Sequence, residues 1–188
     1  MDAELADDQG FITGDEVVLE AEEFALVTAP ADIETPPPAS WPAGSPAAVK
    51  IEARHLEGDR GVFLGVAETS ELERYLSGVA YAELVDFSVD PFGVDYVIHP
   101  GTSPAEPPGD QDFWAAAARG VGPQTLRWEI EPGSYSLVFM NEDGTSGVAM
   151  SASVGVRVPA IGQAGRGLLS AGVAAAVGGA ILVILALE

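Results

Sequence analysis

The sequence predicts a mainly β protein: an antiparallel β-sandwich or jelly-roll-like domain with one short helix, followed by a carboxyl-terminal transmembrane α-helix. Apolar and polar residues alternate with period two in several segments between Val49 and Val156, a pattern typical of half-buried strands. Clusters of Gly, Pro, Asn and Asp separate these segments and predict turns. Near the end of the chain, residues 168–187 form an uncharged run of apolar and small residues.

We expect three regions along the chain. Residues 1–46 are an acidic amino-terminal segment and a Pro-rich linker, because six prolines fall between 30 and 46. Residues 47–158 form the β-sandwich domain, and residues 159–188 contain the transmembrane helix.

The strands of the domain follow from alternation and from apolar runs between turns. In the first of them Val49, Ile51 and Ala53 alternate with charged residues. The predicted strands span residues 49–54, 62–66, 81–89, 96–98, 126–130, 135–139 and 148–156. Trp128 falls on the apolar phase of its strand, so we expect it in the core.

One short helix interrupts the strands. Ser70 followed three residues later by Glu73 has the form of a capping box. Leu72, Tyr75, Leu76 and Val79 follow at helical spacing, which predicts an apolar stripe that faces the core.

The composition excludes several classes of protein. The 188 residues contain 29 acidic and 8 basic side chains, giving a net charge of −21, yet 47% are hydrophobic. A disordered acidic chain has few apolar residues, so general disorder is excluded. A nucleic-acid partner is excluded because no basic face can neutralise phosphates. With no cysteine, the chain has no disulfide, zinc-thiolate site or thiol nucleophile.

All acidic residues except Glu188 lie ahead of the apolar carboxyl-terminal run. The first 49 residues contain eleven acidic residues and no basic one, and Lys50 is the only lysine beside seven arginines. Such a composition is typical of halophilic proteins, whose carboxylates keep the surface hydrated in concentrated salt. The alternative is an acidic protein encoded by a GC-rich genome.

The run 168–187 has the length of a membrane-spanning helix. At about 1.5 Å per residue it spans roughly 30 Å, the thickness of the bilayer's hydrocarbon core. Gly167, Ala171, Ala175 and Gly179 lie four residues apart, a spacing that lets helices pack closely in lipid. The expected partners are the lipid bilayer and another transmembrane helix or a second copy of the chain; alternatively, the stripe reflects only the abundance of Ala and Gly.

Five short blocks add a resemblance. They are Val-Phe-Leu-Gly-Val-Ala at 62–67, Leu-Glu-Arg-Tyr-Leu-Ser-Gly-Val-Ala at 72–80, Gln-Asp-Phe-Trp-Ala at 111–115, Gln-Thr-Leu-Arg-Trp at 124–128 and Met-Asn-Glu-Asp-Gly at 140–144. Over residues 10–187 the chain resembles a group of uncharacterised membrane-anchored proteins of high-GC bacteria and halophilic archaea. The resemblance implies a β-rich extracytoplasmic domain between two membrane helices, and it implies no catalytic residue.

The sequence leaves two membrane topologies open. This sequence begins without the first of those two helices and without a signal peptide, so we expect that both termini have been trimmed. Taken literally, the chain is a tail-anchored protein with its domain in the cytoplasm, which Arg157 and Arg166 favour weakly through the positive-inside rule.

Few residues suggest chemistry. His55 and His99 lack a second ligand at metal spacing. The carboxylates Glu83, Asp86, Asp90 and Asp95 surround one turn and could bind a cation, although solvated surface charge explains them as well. We expect no cofactor and no enzymatic activity.

The aromatic side chains suggest one further kind of site. Trp41 and Trp114 adjoin loops and are the candidates for ligand contact, as in an aromatic platform for a glycan. We therefore expect a membrane-anchored, extracytoplasmic domain that acts by binding or assembly in the cell envelope. The alternative is a carbohydrate- or cation-binding module that serves an envelope enzyme.

Overall fold

The computed structural model describes residue 7 and residues 9–33, 47–89 and 92–157. Within these ranges the chain forms twelve strands, one α-helix and one 3₁₀ turn. The strands are β1 (Ile12–Thr13), β2 (Val17–Ala21), β3 (Ala25–Thr28), β4 (Ala31–Ile33), β5 (Ala48–His55), β6 (Gly61–Glu68), β7 (Tyr81–Val89), β8 (Phe92–His99), β9 (Ala116–Val121), β10 (Gln124–Glu129), β11 (Gly133–Asn141) and β12 (Val148–Arg157). The helix α1 spans Thr69–Tyr75, and the 3₁₀ turn spans Pro108–Asp110. The mainly β architecture predicted from the sequence is confirmed.

The strands are arranged in two sheets. Sheet A has the order β1-β12-β5-β10, and β2 also pairs with β12. Sheet B has the order β8-β7-β3-β11-β6-β9, and β4 also pairs with β11. Every pair of named strands is antiparallel except β3 and β7, which run parallel.

The main hydrophobic core lies between the sheets. Ile51 and Trp128 of sheet A share one cluster of buried side chains with Leu64 and Tyr135 of sheet B. The rings of Trp128 and Tyr135 lie 4.7 Å apart between centroids, and the predicted core position of Trp128 is confirmed. Because the two sheets bury their apolar faces against each other, the arrangement is consistent with a β-sandwich.

Residues 12–33 contribute strands to both sheets, whereas the sequence led us to expect a domain over 47–158. In sheet A, β1 and β2 pair with β12; in sheet B, β3 and β4 pair with β11. The four strands are two to five residues long, and Glu20 and Asp32 interrupt the apolar residues of β2 and β4, so none of them shows a clear alternation. Their partners β11 and β12 lie a hundred residues or more further along the chain, and β3 also pairs with β7.

Helix α1 begins one residue earlier than its predicted cap. Glu68 occupies the N-cap position and makes no side-chain capping bond, so the predicted capping box of Ser70 and Glu73 is wrong. The reason is that β6 continues without a loop to Glu68, and the Thr69 hydroxyl lies 3.3 Å from that of Ser136 on β11. This contact places the first residue of the helix against sheet B.

The predicted transmembrane helix lies outside the described residues, as do Gly167, Ala171, Ala175 and Gly179 of the small-residue stripe. Among the residues that the structure does describe, no helix has the length and apolar character needed to cross a membrane.

Candidate functional site

Helix α1 lies on the outer face of sheet B, over a second hydrophobic cluster. Leu72 and Leu76 are buried there against Phe63, Val138 and other side chains of the sheet. The predicted burial of Leu72, Leu76 and Val79 is confirmed, although α1 ends at Tyr75 and these side chains pack on the outer face of the sheet. The helix separates two depressions, which are the candidate binding sites of the described chain.

The first depression, the Phe113 groove, lies between α1 and the segment 103–113. Its lining includes Arg74, Tyr75, Ser103, Gln111 and Phe113, and its volume is about 470 Å³. The centroids of the Tyr75 and Phe113 rings lie 5.5 Å apart, with the ring planes inclined at 51°. This groove therefore combines two aromatic rings with several polar side chains.

Trp114 supports the groove from behind. Its ring lies 4.9 Å from that of Phe63 and 4.4 Å from that of Phe113. Its indole N–H donates to the Pro108 carbonyl at 2.8 Å. A Cβ atom added to Gly65 would lie 2.6 Å from the Trp114 ring, so the strand needs a glycine where the ring covers it.

Tyr75 is fixed at both ends of its side chain. The hydroxyl donates to the Glu106 carbonyl oxygen at 2.5 Å, and the ring packs edge-on against Trp114 at 6.0 Å. Burial, and secondarily the charge of Glu106, raise the pKa of the Tyr75 phenol. The phenol is therefore a neutral hydrogen-bond donor at physiological pH.

The second depression, the His99 pocket, lies on the other side of α1, where β7 begins and β8 ends. Its volume is about 110 Å³. The Glu83 carboxylate accepts from Nε2 of His99 at 2.7 Å, and the His99 ring stacks on Tyr81 with centroids 4.3 Å apart and planes 4° apart. The hydroxyl-bearing residues Thr28 and Ser136, both buried, form part of its wall.

Two effects raise the pKa of the Tyr81 phenol above its ordinary value. Burial raises the pKa of Tyr81, and the charges of Glu83 and Glu73 add to the effect. The pocket therefore offers carboxylates, an imidazole and neutral hydroxyl groups, which suit a small polar or cationic ligand.

The acidic residues predicted as a possible cation site are only partly brought together. Asp86 and Asp95 are cross-strand partners in the β7–β8 hairpin, whereas Glu83 pairs with His99. Asp90 lies outside the described residues. In the part of the chain that the structure describes, no group of three or more His, Asp or Glu side chains has the geometry to hold a metal ion.

The two tryptophans predicted for ligand contact have different outcomes. Trp41 lies outside the described residues. Trp114 is partly buried beneath the groove, and the aromatic side chains that line the groove are Phe113 and Tyr75. Ligand contact by Trp114 stays a prediction.

Sequence reasoning missed three residues of the two depressions. Phe113 is adjacent to Trp114, which was the residue predicted for ligand contact, and Tyr75 was predicted to belong to the buried apolar stripe of the helix. His99 pairs with Glu83 only because the β7–β8 register sets it opposite Tyr81. An aromatic pair flanked by loop residues is the signal that could have identified Phe113.

The first and last described strands lie together at one end of sheet A. Ile12 pairs with Val156, and the Phe11 ring is buried between two cations, with Lys50 Nζ at 5.4 Å and the Arg157 guanidinium at 5.0 Å from its centroid. We call Asp7, Phe11, Lys50 and Arg157 the Phe11 cluster.

Asp7 completes this cluster as an anion. Its carboxylate accepts from Lys50 Nζ at 2.8 Å and from the Phe11 amide at 2.9 Å. These hydrogen bonds, that from Lys50 foremost, lower the pKa of Asp7 from 3.8 to about 2. The cluster ties the segment ahead of β1 to the end of β12.

Comparison of the chain with protein-family models, with curated proteins and with solved structures gives no significant match.

Proposed function

We propose that this chain is a membrane-anchored β-sandwich or jelly-roll-like domain that acts by binding or assembly in the cell envelope. One observation supports the proposal above all. The chain enters the described domain beside Phe11 and leaves it at Arg157, and the Phe11 cluster joins these two points. Membrane segments attached at either point would therefore emerge from the same end of the domain.

The proposed orientation directs the opposite end of the domain away from the bilayer. β12 runs from Val148 to Arg157, and its antiparallel partner β5 ends at His55, opposite Met150. The loop after His55, which carries Asp59, therefore lies far from Arg157 along the strands. In the proposed topology this loop is extracytoplasmic; in the tail-anchored alternative it is cytoplasmic.

The membrane anchor is tested by charge substitution in the segment 168–187. Replacing Val177 and Ile181 by arginine costs about 2.5–3.5 kcal/mol per residue at the centre of a membrane helix. We expect this variant to leave the membrane fraction after carbonate washing, whereas the control with leucine at both positions stays there. Equal soluble recovery of all three chains without detergent would refute the anchor.

The sidedness of the domain is tested by cysteine labelling, which the cysteine-free chain makes unambiguous. Asp59→Cys places a thiol on the exposed loop, and we expect a membrane-impermeant maleimide to label it in intact cells. Ala82→Cys is the matched control, because Ala82 is 0% exposed and its thiol reacts only after unfolding. Labelling of Asp59→Cys only after permeabilisation would establish the tail-anchored topology.

The acidity of the domain supports a halophilic setting. At about 1 M salt the Debye length falls to roughly 3 Å, so repulsion among exposed carboxylates is screened. We expect the melting temperature to rise by several degrees between about 0.1 and 2 M KCl, because the salt screens the repulsion within a chain whose net charge is −21. A melting temperature that falls with KCl would contradict this part of the proposal.

The second candidate function is a carbohydrate- or cation-binding module that serves an envelope enzyme. The Phe113 groove favours the carbohydrate form of this candidate, because its lining joins aromatic rings to hydrogen-bonding side chains such as Ser103 and Gln111. Thermal shift measurements with calcium and with glycans test it, since a ligand that binds the folded state raises the melting temperature.

A further inference from the structure

We infer that the Phe113 groove binds a neutral saccharide of one or two sugar units. The inference deepens the proposal that the domain acts by binding, and it rests on that proposal. The volume of about 470 Å³ falls within the range of about 300–1,000 Å³ that small-molecule sites occupy.

The aromatic rings of the groove match the apolar faces of a sugar. A pyranose ring presents C–H groups on its faces and hydroxyl groups around its edge. The C–H hydrogens carry partial positive charge and are attracted by the negative face of an aromatic ring. Tyr75 and Phe113 supply two such rings, which pack against each other with centroids 5.5 Å apart. Both residues line the groove, so a sugar seated in it contacts the paired rings from the open side.

The polar side chains of the groove suit the hydroxyl groups of a sugar. Arg74, Gln111 and Ser103 line the groove, and each carries hydrogen-bond donors or acceptors. Arg74 donates to Glu71 at 2.5 Å, and the Gln111 amide donates to Glu106 at 3.3 Å. These planar groups are held by partners and still retain free hydrogen-bonding positions.

The charge of the groove disfavours an anionic ligand. Glu71 and Glu106 outnumber Arg74, and the chain as a whole carries a net charge of −21. Uronic acids and other anionic sugars are therefore repelled. No basic patch compensates within the lining of this groove.

The walls of the groove are fixed before a ligand arrives. The amides of Thr102 and Ser103 both donate to the Gly78 carbonyl at 3.0 Å, which holds the loop against the end of the helical segment. A Cβ atom at Gly101 would lie 2.2 Å from the Val79 carbonyl carbon, so the two backbones are in direct contact. A preformed site avoids the entropic cost of ordering a loop on binding.

The test uses the full chain in dodecylphosphocholine micelles, since this detergent has no sugar headgroup. Saturation-transfer NMR screens glucose, galactose, mannose, N-acetylglucosamine and their β-linked disaccharides, with glucuronate as the charged comparison. We expect at least one neutral sugar to bind, and glucuronate to bind at least tenfold more weakly.

Variants locate the site. Phe113→Ala should weaken binding at least tenfold, while Phe113→Tyr, which keeps the ring, should retain it. Gln111→Ala should weaken binding about threefold. Because Gln111→Ala changes only an exposed contact, it still tests the site if the Phe113→Ala variant is unfolded. Val121→Ala, on an exposed edge position that is 64% accessible, is the matched control and should bind like the unchanged chain.

Several outcomes would overturn the inference. They are the failure of every neutral sugar to bind, tighter binding of glucuronate, and binding that Phe113→Ala and Gln111→Ala leave unchanged. Fractionation of the same preparations reports the membrane anchor independently. Loss of the saccharide site is therefore distinguishable from loss of the proposed anchoring.

Discussion

Gly65 lies in β6 beneath the Trp114 ring, and its replacement by alanine should disrupt the aromatic cluster that supports the Phe113 groove. An added Cβ would lie 2.6 and 2.7 Å from two carbons of the Trp114 ring and 2.8 Å from a carbon of Phe63. The obstacles are two rigid rings packed against each other. Neither ring has a flexible end that could rotate away from the added methyl group.

The size of the effect follows from these distances. Trp114 would have to move by about 0.8 Å, the difference between its 2.6 Å approach and an ordinary contact of 3.4 Å. Overpacking of this kind costs about 1–3 kcal/mol in well-packed cores. Taking about 2 kcal/mol, we expect the melting temperature to fall by roughly 4–8 °C for a domain of this size.

A second glycine provides the matched control. Gly58 lies in the exposed loop after β5, and a Cβ atom there would meet nothing within 4 Å. Gly58→Ala should therefore change the free energy of unfolding by less than about 0.5 kcal/mol. Urea denaturation followed by circular dichroism measures both variants, and red-shifted tryptophan emission should accompany Gly65→Ala alone.

A double-mutant cycle tests the stated cause. Trp114→Leu removes the ring that the new methyl group meets, so the penalty of Gly65→Ala should be smaller in that background. The expected coupling lies between about 0.5 and 3 kcal/mol, the range for residues in contact. Equal penalties in the two backgrounds, or a Gly65→Ala variant as stable as Gly58→Ala, would refute the reasoning.

Two further perturbations probe other contacts. The pKa of Asp7 is lower in the folded chain than its ordinary value, so the Lys50 pair stabilises the fold above pH 3.8, and this contribution is lost as the pH falls towards about 2. Acid titrations should show that Asp7→Asn abolishes this part of the pH dependence; an unchanged acid transition would contradict it. Thr28 Oγ1 accepts from the buried Leu137 amide at 3.0 Å. Thr28→Val should therefore destabilise the fold by about 1–3 kcal/mol in urea denaturation, whereas Thr28→Ser should largely preserve it.

The fold could be predicted from the sequence where one face of a strand is buried and the other is exposed. Strand β5 was predicted over 49–54 and spans Ala48–His55, because Ile51 and Ala53 face the core and their neighbours Glu52 and Arg54 face solvent. Strand β2 was missed because its sequence, Val-Val-Leu-Glu-Ala, does not alternate cleanly. Only pairing with β12 shows that this segment is a strand.

The candidate site was harder to predict because its residues meet through tertiary register. The pairing of Glu83 with His99 requires a hairpin with an irregularity between Leu84 and Asp86, which no local pattern encodes. Phe113 and Tyr75 are 38 positions apart and meet only because α1 folds back on sheet B. The sequence does indicate aromatic residues near loops, but it cannot distinguish a supporting ring from a contacting one.

The two sheets carry different parts of the proposed function. The Phe11 cluster and the points of entry and exit belong to sheet A, whereas α1 and the Phe113 groove lie on the outer face of sheet B. Both sheets contribute to one core, which includes Ile51 of sheet A and Leu64 of sheet B. A bilayer at the end of sheet A would thus leave the outer face of sheet B open to the aqueous phase. Anchoring and ligand access can therefore coexist without any rearrangement of the strands.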